Sequence, residues 1–268
     1  MEDQADFAGQ LAARHEVLGA HPDVLVRAPE SAEAERELLT HLFTRLPRDL
    51  PQHYSKTASG LRVRPTGETW SFEAAADDPL GAIARWVPDD FCFMHADPSG
   101  TYRLRSAVVC FPTRWQLQAK LGRGLTPIHA PVPGYQQDLG KGVEQVFDRL
   151  TINRPMWRIN WSLVDAPDLY QPIRPAGDEI LAHGAERIGQ EFWLRTERQS
   201  IVRLESSQAV VFGIRIRQER LDVACAADPD LAGRMLTQVD SMPAALKRYK
   251  GLARIETPLQ AYLRTLCV

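Results

Sequence analysis

Hydrophobic positions in the first part of the chain follow a helical period. Between residues 35 and 46, Leu38, Leu42 and Leu46 recur at every fourth position, and Pro47 comes directly after them. This spacing predicts an amphipathic helix that ends before Pro47. The other predicted helices are residues 115–121, residues 139–150 and, with breaks at Pro243 and Pro258, roughly the last 40 residues.

The middle of the chain instead alternates apolar and polar residues, which is the period of a half-buried strand. A Pro-Thr-Gly turn joins the first two runs into a predicted hairpin, and Pro112 ends a later run. The predicted strands are residues 61–64, 68–72, 91–95, 102–111, 157–164, 191–204 and 209–217. Antiparallel-looking strands between helical ends predict an α+β fold rather than a doubly wound parallel sheet.

Composition indicates a globular protein, because 44% of its 268 residues are hydrophobic and can form a sizeable core. The 32 basic and 34 acidic residues are interspersed, so we expect neither nucleic acid nor an anionic membrane as the main partner. The acidic start, Met-Glu-Asp-Gln-Ala-Asp, is unlike a signal peptide, and no run approaches the roughly 20 apolar residues of a membrane span. We therefore expect a cytoplasmic protein.

The cysteines offer no metal site of their own. Cys92, Cys110, Cys225 and Cys267 are far apart and form neither a zinc-type pair nor a c-type haem attachment site. We expect reduced thiols, so a bound metal would need another kind of ligand.

One histidine lies in a proline-rich stretch, Thr-Pro-Ile-His-Ala-Pro-Val-Pro-Gly-Tyr, at residues 126–135. Each proline fixes its own φ angle and biases the preceding residue towards extended geometry. We therefore predict an extended, rigid loop that presents His129 in a preset orientation. Such an imidazole suits metal ligation or proton transfer, although an ordinary loop histidine that bonds to backbone has the same pattern.

The predicted strand at residues 191–204 has one polar face and one aliphatic face. That polar face is either a solvated surface with cross-strand ion pairs or the wall of a pocket. In a pocket, Glu197 would accept a cation, and the arginines would orient it or bind anionic groups. Alternation places on this face Trp193, Arg195, Glu197, Gln199 and Arg203.

A second strand has a similar mixture of residues. In Trp157-Arg-Ile-Asn-Trp161, the two tryptophans and Ile159 alternate with Arg158 and Asn160. An ordinary half-buried strand would show the same pattern, so the alternation does not by itself indicate a site.

Five motifs that contain these residues resemble, in their order, the haem-dependent oxidative N-demethylase-like family. They are Cys110-Phe-Pro-Thr-Arg-Trp115, Lys120-Leu-Gly-Arg123, Ile128-His-Ala-Pro-Val-Pro-Gly134, Arg158-Ile-Asn-Trp161 and Arg195-Thr-Glu-Arg-Gln199. The resemblance covers roughly residues 50–220. It implies a PAS-like antiparallel sheet that encloses haem b, in a single domain over residues 1–268 with helical extensions at both ends.

The activity that this resemblance implies is oxidative N-demethylation of a small secondary alkylamine such as dimethylamine, with oxygen consumed and formaldehyde released. Electrons would come from a separate flavin and iron–sulfur reductase component. The chain lacks a Gly-x-Gly-x-x-Gly fingerprint and a cluster-binding cysteine set, which fits a subunit that holds only the haem. Two alternatives stay open: a haem-based gas sensor, and a non-catalytic subunit that binds haem or has lost it.

The resemblance gives His129 a role as the axial ligand of the haem iron. His95, at the end of a predicted strand, is the reserve ligand. Cys110 is the thiolate alternative, although its Val-Val-Cys-Phe context indicates a core cysteine. The other expected cofactor-binding residues are Lys120, Arg123, Arg158 and Asn160, the basic ones through the haem propionates. The histidines expected only at the surface, in packing or in loops are His15, His21, His41, His53 and His183.

Three residues are expected to act on the amine. Glu197 would attract the ammonium and accept its proton, because oxidation requires the nitrogen lone pair. Arg195 would orient the bound group, and Trp161 would form part of the pocket wall together with Trp193, where a cation is favoured near an aromatic face.

Overall fold

The computed structural model describes residues 4–152, 154–173 and 184–267, and it has the mixed helix and sheet composition of the predicted α+β class. The strands are β1 (Leu25–Arg27), β2 (Tyr54–Thr57), β3 (Gly60–Val63), β4 (Thr69–Trp70), β5 (Asp90–Ala96), β6 (Tyr102–Val108), β7 (Met156–Val164), β8 (Trp193–Arg203) and β9 (Val210–Arg220). The main sheet has the order β1-β6-β5-β9-β8-β7, and all its neighbouring strands are antiparallel. The predicted hairpin near residue 65 is confirmed as part of a small second sheet, β2-β3-β4.

Helices precede the strand-rich region and follow it, as the apolar periods predict. They are α1 (Gln4–Ala20), α2 (Ala32–Asp49), α3 (Phe72–Asp77), α4 (Pro79–Trp86), α5 (Leu125–Ile128), α6 (Gly140–Arg149), α7 (Ala185–Glu191), α8 (Leu221–Ala227), α9 (Leu231–Ser241), α10 (Ala244–Tyr249) and α11 (Glu256–Leu266). Among the residues that the structure describes, no helix combines the length and the apolar character that a membrane crossing needs.

Two of the helix predictions are wrong in detail. Helix α2 continues through Pro47 to Asp49, because a proline in the last turn removes only one backbone hydrogen bond, and the Leu50 N–H still donates to the Leu46 carbonyl at 2.9 Å. The predicted helix at residues 115–121 is absent.

Only a single 3₁₀ turn, Gln118–Lys120, forms in that segment. The reason is the backbone at Arg114, whose φ angle of 61° turns the chain sharply just before it. At the C-terminus the predicted break at Pro243 is confirmed, since this residue directly precedes α10. Pro258 lies in the first turn of α11, where a missing N–H has no intrahelical partner to lose, so the break falls just before it.

The prediction of an extended loop around His129 is also wrong. Leu125–Ile128 forms a short helix, and His129 is the residue that ends it. Pro127 lies in the first turn of this helix, where its fixed φ angle suits helical geometry. The segment is nevertheless well braced, because the His129 N–H donates to the Leu125 carbonyl and the Val132 N–H donates to the His129 carbonyl.

The strand register sorts the side chains of β7 and β8 onto two faces of the sheet. Arg158 is opposite Gln199, Asn160 is opposite Glu197, and Ser162 is opposite Arg195. Because successive side chains point to opposite sides, these residues share one face, which we call the carboxylate face after Glu197. The other face of the same strands is called the opposite face.

Helix α5 and His129 directly after it, which we call the His129 segment, pack on the carboxylate face. An apolar cluster joins the sheet residues Met94, Ile201 and Val210 to Leu125 and Phe147, which lie in α5 and α6. Ile201 follows Glu197 by four positions on β8 and therefore shares its face. The segment that carries His129 and the strand that carries Glu197 thus meet on one side of the sheet.

Helices cover the opposite face. Phe93, Val202 and Val211 pack with the core of α1, α2 and α4, while Leu163 and Leu194 pack with the C-terminal helices. The tip of the β8–β9 hairpin also contacts α2. The backbone N–H groups of Ser206 and Ser207 donate to the Glu37 carboxylate at 2.8 and 2.9 Å.

Candidate functional site

Glu197 is half-buried on β8, and its carboxylate accepts three hydrogen bonds from neutral side chains. Thr113 Oγ1 donates to Oε1 at 2.7 Å, while Gln199 Nε2 and Asn160 Nδ2 donate to Oε2 at 2.8 and 3.3 Å. A carboxylate offers about four lone-pair positions. One acceptor position is therefore left for a further donor.

Each of these three neutral donors also binds a cation. The contacts are Arg195 Nε to Thr113 Oγ1 at 3.1 Å, Arg158 Nε to Gln199 Oε1 at 2.8 Å, and Lys250 Nζ to Asn160 Oδ1 at 3.0 Å. Glu197 is thus linked to three cations, through one side chain in each case, and we call this arrangement the three-cation cluster. Its formal charges are three positive and one negative.

Arg195 is completely buried, and each of its three guanidinium nitrogens donates to a protein group. Besides Thr113, it donates to Gln218 Oε1 at 2.8 Å, to the Phe111 carbonyl at 2.8 Å and to the Leu169 carbonyl at 3.1 Å. Burial lowers the pKa of Arg195 to about 10, against the opposing effects of Glu197 and Asp90. Through its Nε bond, Arg195 is positioned to hold Thr113, which in turn donates to Glu197.

Lys250 is a site residue that the sequence patterns did not indicate. It follows α10, and Gly251 after it has a φ angle of 74°, which turns the chain so that the lysine reaches the edge strand β7. Its ammonium also donates to the Trp161 carbonyl at 2.6 Å. Burial lowers the pKa of Lys250, while nearby Glu197 acts to raise it. A Lys-Gly pair at a helix end was the only available signal.

His129 uses one ring nitrogen in a hydrogen bond to the backbone. Its Nδ1 lies 2.8 Å from the Leu125 carbonyl, and because a carbonyl only accepts, Nδ1 carries the proton and Nε2 keeps its lone pair. The ring stacks on Tyr135 with centroids 4.4 Å apart and planes at 11°. Burial lowers the pKa of His129, and the charges of Lys120 and Arg158 lower it further, against the effect of the Leu125 bond. The lowered pKa favours the neutral imidazole, whose Nε2 lone pair is the type of donor that a metal ion binds.

Basic residues surround the imidazole. Lys120 donates to the Ile128 carbonyl at 2.7 Å, which places its ammonium beside the residue before His129. Burial lowers the pKa of Lys120, and the charge of Arg123 lowers it further. Arg123 and Arg158 are exposed, and Arg158 lies close enough to influence both His129 and Lys250. Arg158 is thus the member of the three-cation cluster whose charge also acts on the imidazole.

The two alternative iron ligands are placed less favourably. Burial raises the pKa of the Cys110 thiol to about 12, so this cysteine is a neutral core residue, and its backbone N–H donates to Asp90. His95 is half-buried on β5, and burial lowers its pKa, while Nε2 is buried without a hydrogen bond among the described residues.

The remaining histidines make structural contacts or lie elsewhere. His15 bonds to the Arg85 carbonyl at 3.0 Å, His21 stacks on Tyr170, and buried His53 stacks on Phe7. His41 is exposed on α2. His183 lies outside the described residues.

The tryptophans do not form one wall around Glu197. Trp161 is opposite Thr196 in the register, so its ring lies on the opposite face and contacts the apolar cluster of the C-terminal helices. Trp161 and Glu197 therefore lie on different faces of the sheet, and the Trp161 ring lies 5.7 Å from the Lys250 ammonium. Trp193 is opposite Val164 and shares the parity of Glu197 along β8, so the strand geometry leaves it on the carboxylate face.

Comparison of the chain with known protein families gives its class. The model of the family described as haem-dependent oxidative N-demethylase, alpha subunit-like, matches residues 2–260. The match covers nearly the whole chain, and this protein belongs to that family. The family resemblance that the five motifs indicated is thereby confirmed.

The residues present fit the haem that the family description names. A haem requires an axial donor rather than a full set of protein ligands, and His129 Nε2 is a nitrogen donor of the required type. In the parts of the chain that the structure describes, no three side chains of His, Cys, Asp or Glu come together to hold a metal directly. Tyr135, which stacks on His129, has a buried hydroxyl without a hydrogen-bond partner among the described residues. Because buried polar groups normally have a partner, this position suits a bound group.

Proposed function

We propose that this protein carries out haem-dependent oxidative N-demethylation of a small N-methylated amine such as dimethylamine, with release of formaldehyde. The observation that carries the proposal is the Glu197 carboxylate, which three neutral donors hold in place while one acceptor position stays available. A diatomic gas ligand carries no N–H donor or positive charge and has no use for such an acceptor. This favours turnover of an amine over gas sensing.

Glu197 has two tasks in this proposal. Its available lone pair accepts an ammonium N–H and orients the amine, and it then takes that proton so that the nitrogen lone pair becomes available. Thr113 and Asn160 keep the carboxylate in position during both steps, since each donates to a different oxygen. The proton moves from the amine nitrogen to a Glu197 oxygen, and the charge of the pair is conserved.

His129 would hold the haem through Nε2, and its Leu125 bond would keep the ring orientation fixed. Lys120 and Arg123 are the proposed partners of the haem propionates, and Arg158 is placed to join them. When bound, the haem supplies the oxygen-dependent oxidation of the N-methyl group. We further propose that a PAS-like domain spans the chain, that the protein is cytoplasmic, and that a separate flavin and iron–sulfur component donates electrons. The description of the family as alpha subunit-like supports a partner subunit.

The test combines a spectrum with product analysis. Freshly purified protein should show a Soret band, and with a compatible electron donor it should consume oxygen and release formaldehyde as dimethylamine disappears. A panel of other methylated amines is assayed beside it. Stable oxygen binding without formaldehyde from any amine would support the gas sensor instead, and absence of a Soret band after haem reconstitution would support a non-catalytic scaffold.

A further inference from the structure

Lys250 has a hydrogen-bonding capacity that the fold does not use fully. An ammonium has three N–H donors, and Lys250 uses two of them, towards Asn160 Oδ1 at 3.0 Å and the Trp161 carbonyl at 2.6 Å. No described oxygen or nitrogen atom accepts the third, and the ammonium also lies 5.7 Å from the centroid of the Trp161 ring. Lys250 is half-buried, so the remaining donor lies at a partly desolvated position where a hydrogen bond between charged groups is strong.

The charges around Glu197 do not suit a substrate that is only a cation. Glu197 is one carboxylate linked to Arg158, Arg195 and Lys250 through neutral side chains. A bound dialkylammonium would neutralise this carboxylate and leave three positive charges close to the positive ligand. Because like charges repel appreciably in a partly buried site, the cluster favours a ligand that brings a negative charge with it.

The position of Lys250 indicates where that negative charge would lie. Asn160 separates the ammonium from the carboxylate, since its Oδ1 accepts from Lys250 and its Nδ2 donates to Glu197 Oε2. An acidic and a basic group thus flank one short side chain. Arg158 uses Nε towards Gln199, and its terminal nitrogens bind none of the described side chains, so a second anion donor lies nearby.

We propose that the substrate is an N-methylated amine that also carries a carboxylate, and that Lys250 determines this specificity by binding the carboxylate while Glu197 binds the ammonium. The inference rests on the proposed function for the site, and it narrows the substrate class from simple alkylamines to N-methyl amino acids. Arg195 takes no direct part in this proposal, since it is completely buried and each of its three nitrogens donates to a protein group.

The decisive comparison uses ligands that differ only in the anionic group. Calorimetric titration of the haem-containing protein with N-methylglycine, N-methylglycinamide and dimethylamine should give the lowest Kd for N-methylglycine. We expect a preference of about tenfold over the amide, which is the usual effect of one hydrogen bond between charged groups. Equal Kd values for the acid and the amide, tighter binding of dimethylamine, or no binding of any probe would overturn the proposal.

Substitution of Lys250 then tests the assigned residue. Lys250→Met should reduce the preference for the acid over the amide to nearly onefold, and Lys250→Arg should keep it, because only a cation is required. Lys56→Met is the matched control, since Lys56 is an exposed lysine on β2 in the other sheet. If Lys250→Met is not recovered folded, the ligand comparison in the unaltered protein and in Lys250→Arg still decides the question.

Haem content and product analysis separate this inference from the proposed function. If Lys250→Met loses haem but keeps the preference for the acid, Lys250 serves a propionate and the inference is wrong. A preference that depends on Lys250, without formaldehyde from any amine, would uphold the binding inference and reject the demethylase proposal. Formaldehyde from dimethylamine with no preference for the acid would do the reverse.

Discussion

Thr113 connects a buried arginine to the Glu197 carboxylate, and replacing it by valine removes this connection without changing the side-chain shape. The Thr113 hydroxyl accepts from Arg195 Nε at 3.1 Å and donates to Glu197 Oε1 at 2.7 Å. Thr113→Val therefore removes two hydrogen bonds to charged groups at once. The substitution tests whether the site depends on this residue, which no sequence pattern assigned to a role.

The two lost bonds are not equivalent. Arg195 is completely buried, so no water replaces its partner, and the expected loss is about 1.5–3 kcal/mol. Glu197 is half-buried, and water can recover part of its lost bond, so we add less than about 1 kcal/mol there. The new methyl group returns up to about 0.8 kcal/mol through apolar burial. The net decrease in the free energy of unfolding should be about 1–3 kcal/mol.

Urea denaturation measures this decrease, and Thr113→Ser is the control. Serine keeps the hydroxyl and loses one methyl group, so it should cost about 1 kcal/mol or less. Amine binding should weaken in Thr113→Val and remain in Thr113→Ser, because the Glu197 carboxylate is held only in the second variant. If valine destabilises the protein no more than serine does, the hydroxyl does not connect the two charged groups and this account of the site is wrong.

The remaining predictions concern the iron ligand and the base. His129→Ala should give folded protein with little haem or an altered ligation spectrum, whereas an unchanged spectrum and haem content would favour His95. Haem retention should persist as the pH falls to the lowered pKa of His129 and be lost below it, measured by the Soret band. The depressed pKa also means that the folded form of His129 binds protons less readily than the unfolded form, so its contribution to stability is full above about pH 6.5 and declines below it. His129→Gln should reduce this pH dependence in urea titrations. Glu197→Gln should keep the haem and raise the amine Kd by about tenfold or more, since a neutral amide replaces the carboxylate. Unaltered binding and turnover in that variant would mean that Glu197 only faces solvent.

Alternation along β7 and β8 predicted which side chains of each strand share a face at the candidate site. Glu197 and Gln199 share a face because strands have a period of two, and the same rule separates Asn160 from Trp161. The alternation rule did not show which of these two residues shares a face with Glu197, because that depends on the register of β7 against β8. Trp161 was grouped with Glu197 because both strands were treated as one mixed pocket wall before their register was known.

Contacts between distant parts of the chain were not predictable from periodicity. Thr113 and Glu197 are separated by 84 positions, and Asn160 and Lys250 by 90. Local patterns report which side of an element a residue occupies, but they contain no information on which loop crosses it. The helical geometry before His129 was missed for another reason, since a proline favours an extended predecessor in general yet also suits the first turn of a helix.

The distribution of the three-cation cluster along the chain has a consequence for biosynthesis. Thr113, Asn160 and Glu197 emerge from the ribosome in that order, and Lys250 emerges last, in the turn after α10. The His129 segment and its strand neighbours can therefore associate before the lysine is synthesised, given that folding proceeds as the chain appears. A nascent chain could thus pack α5 and His129 against the sheet before Lys250 can bond to Asn160.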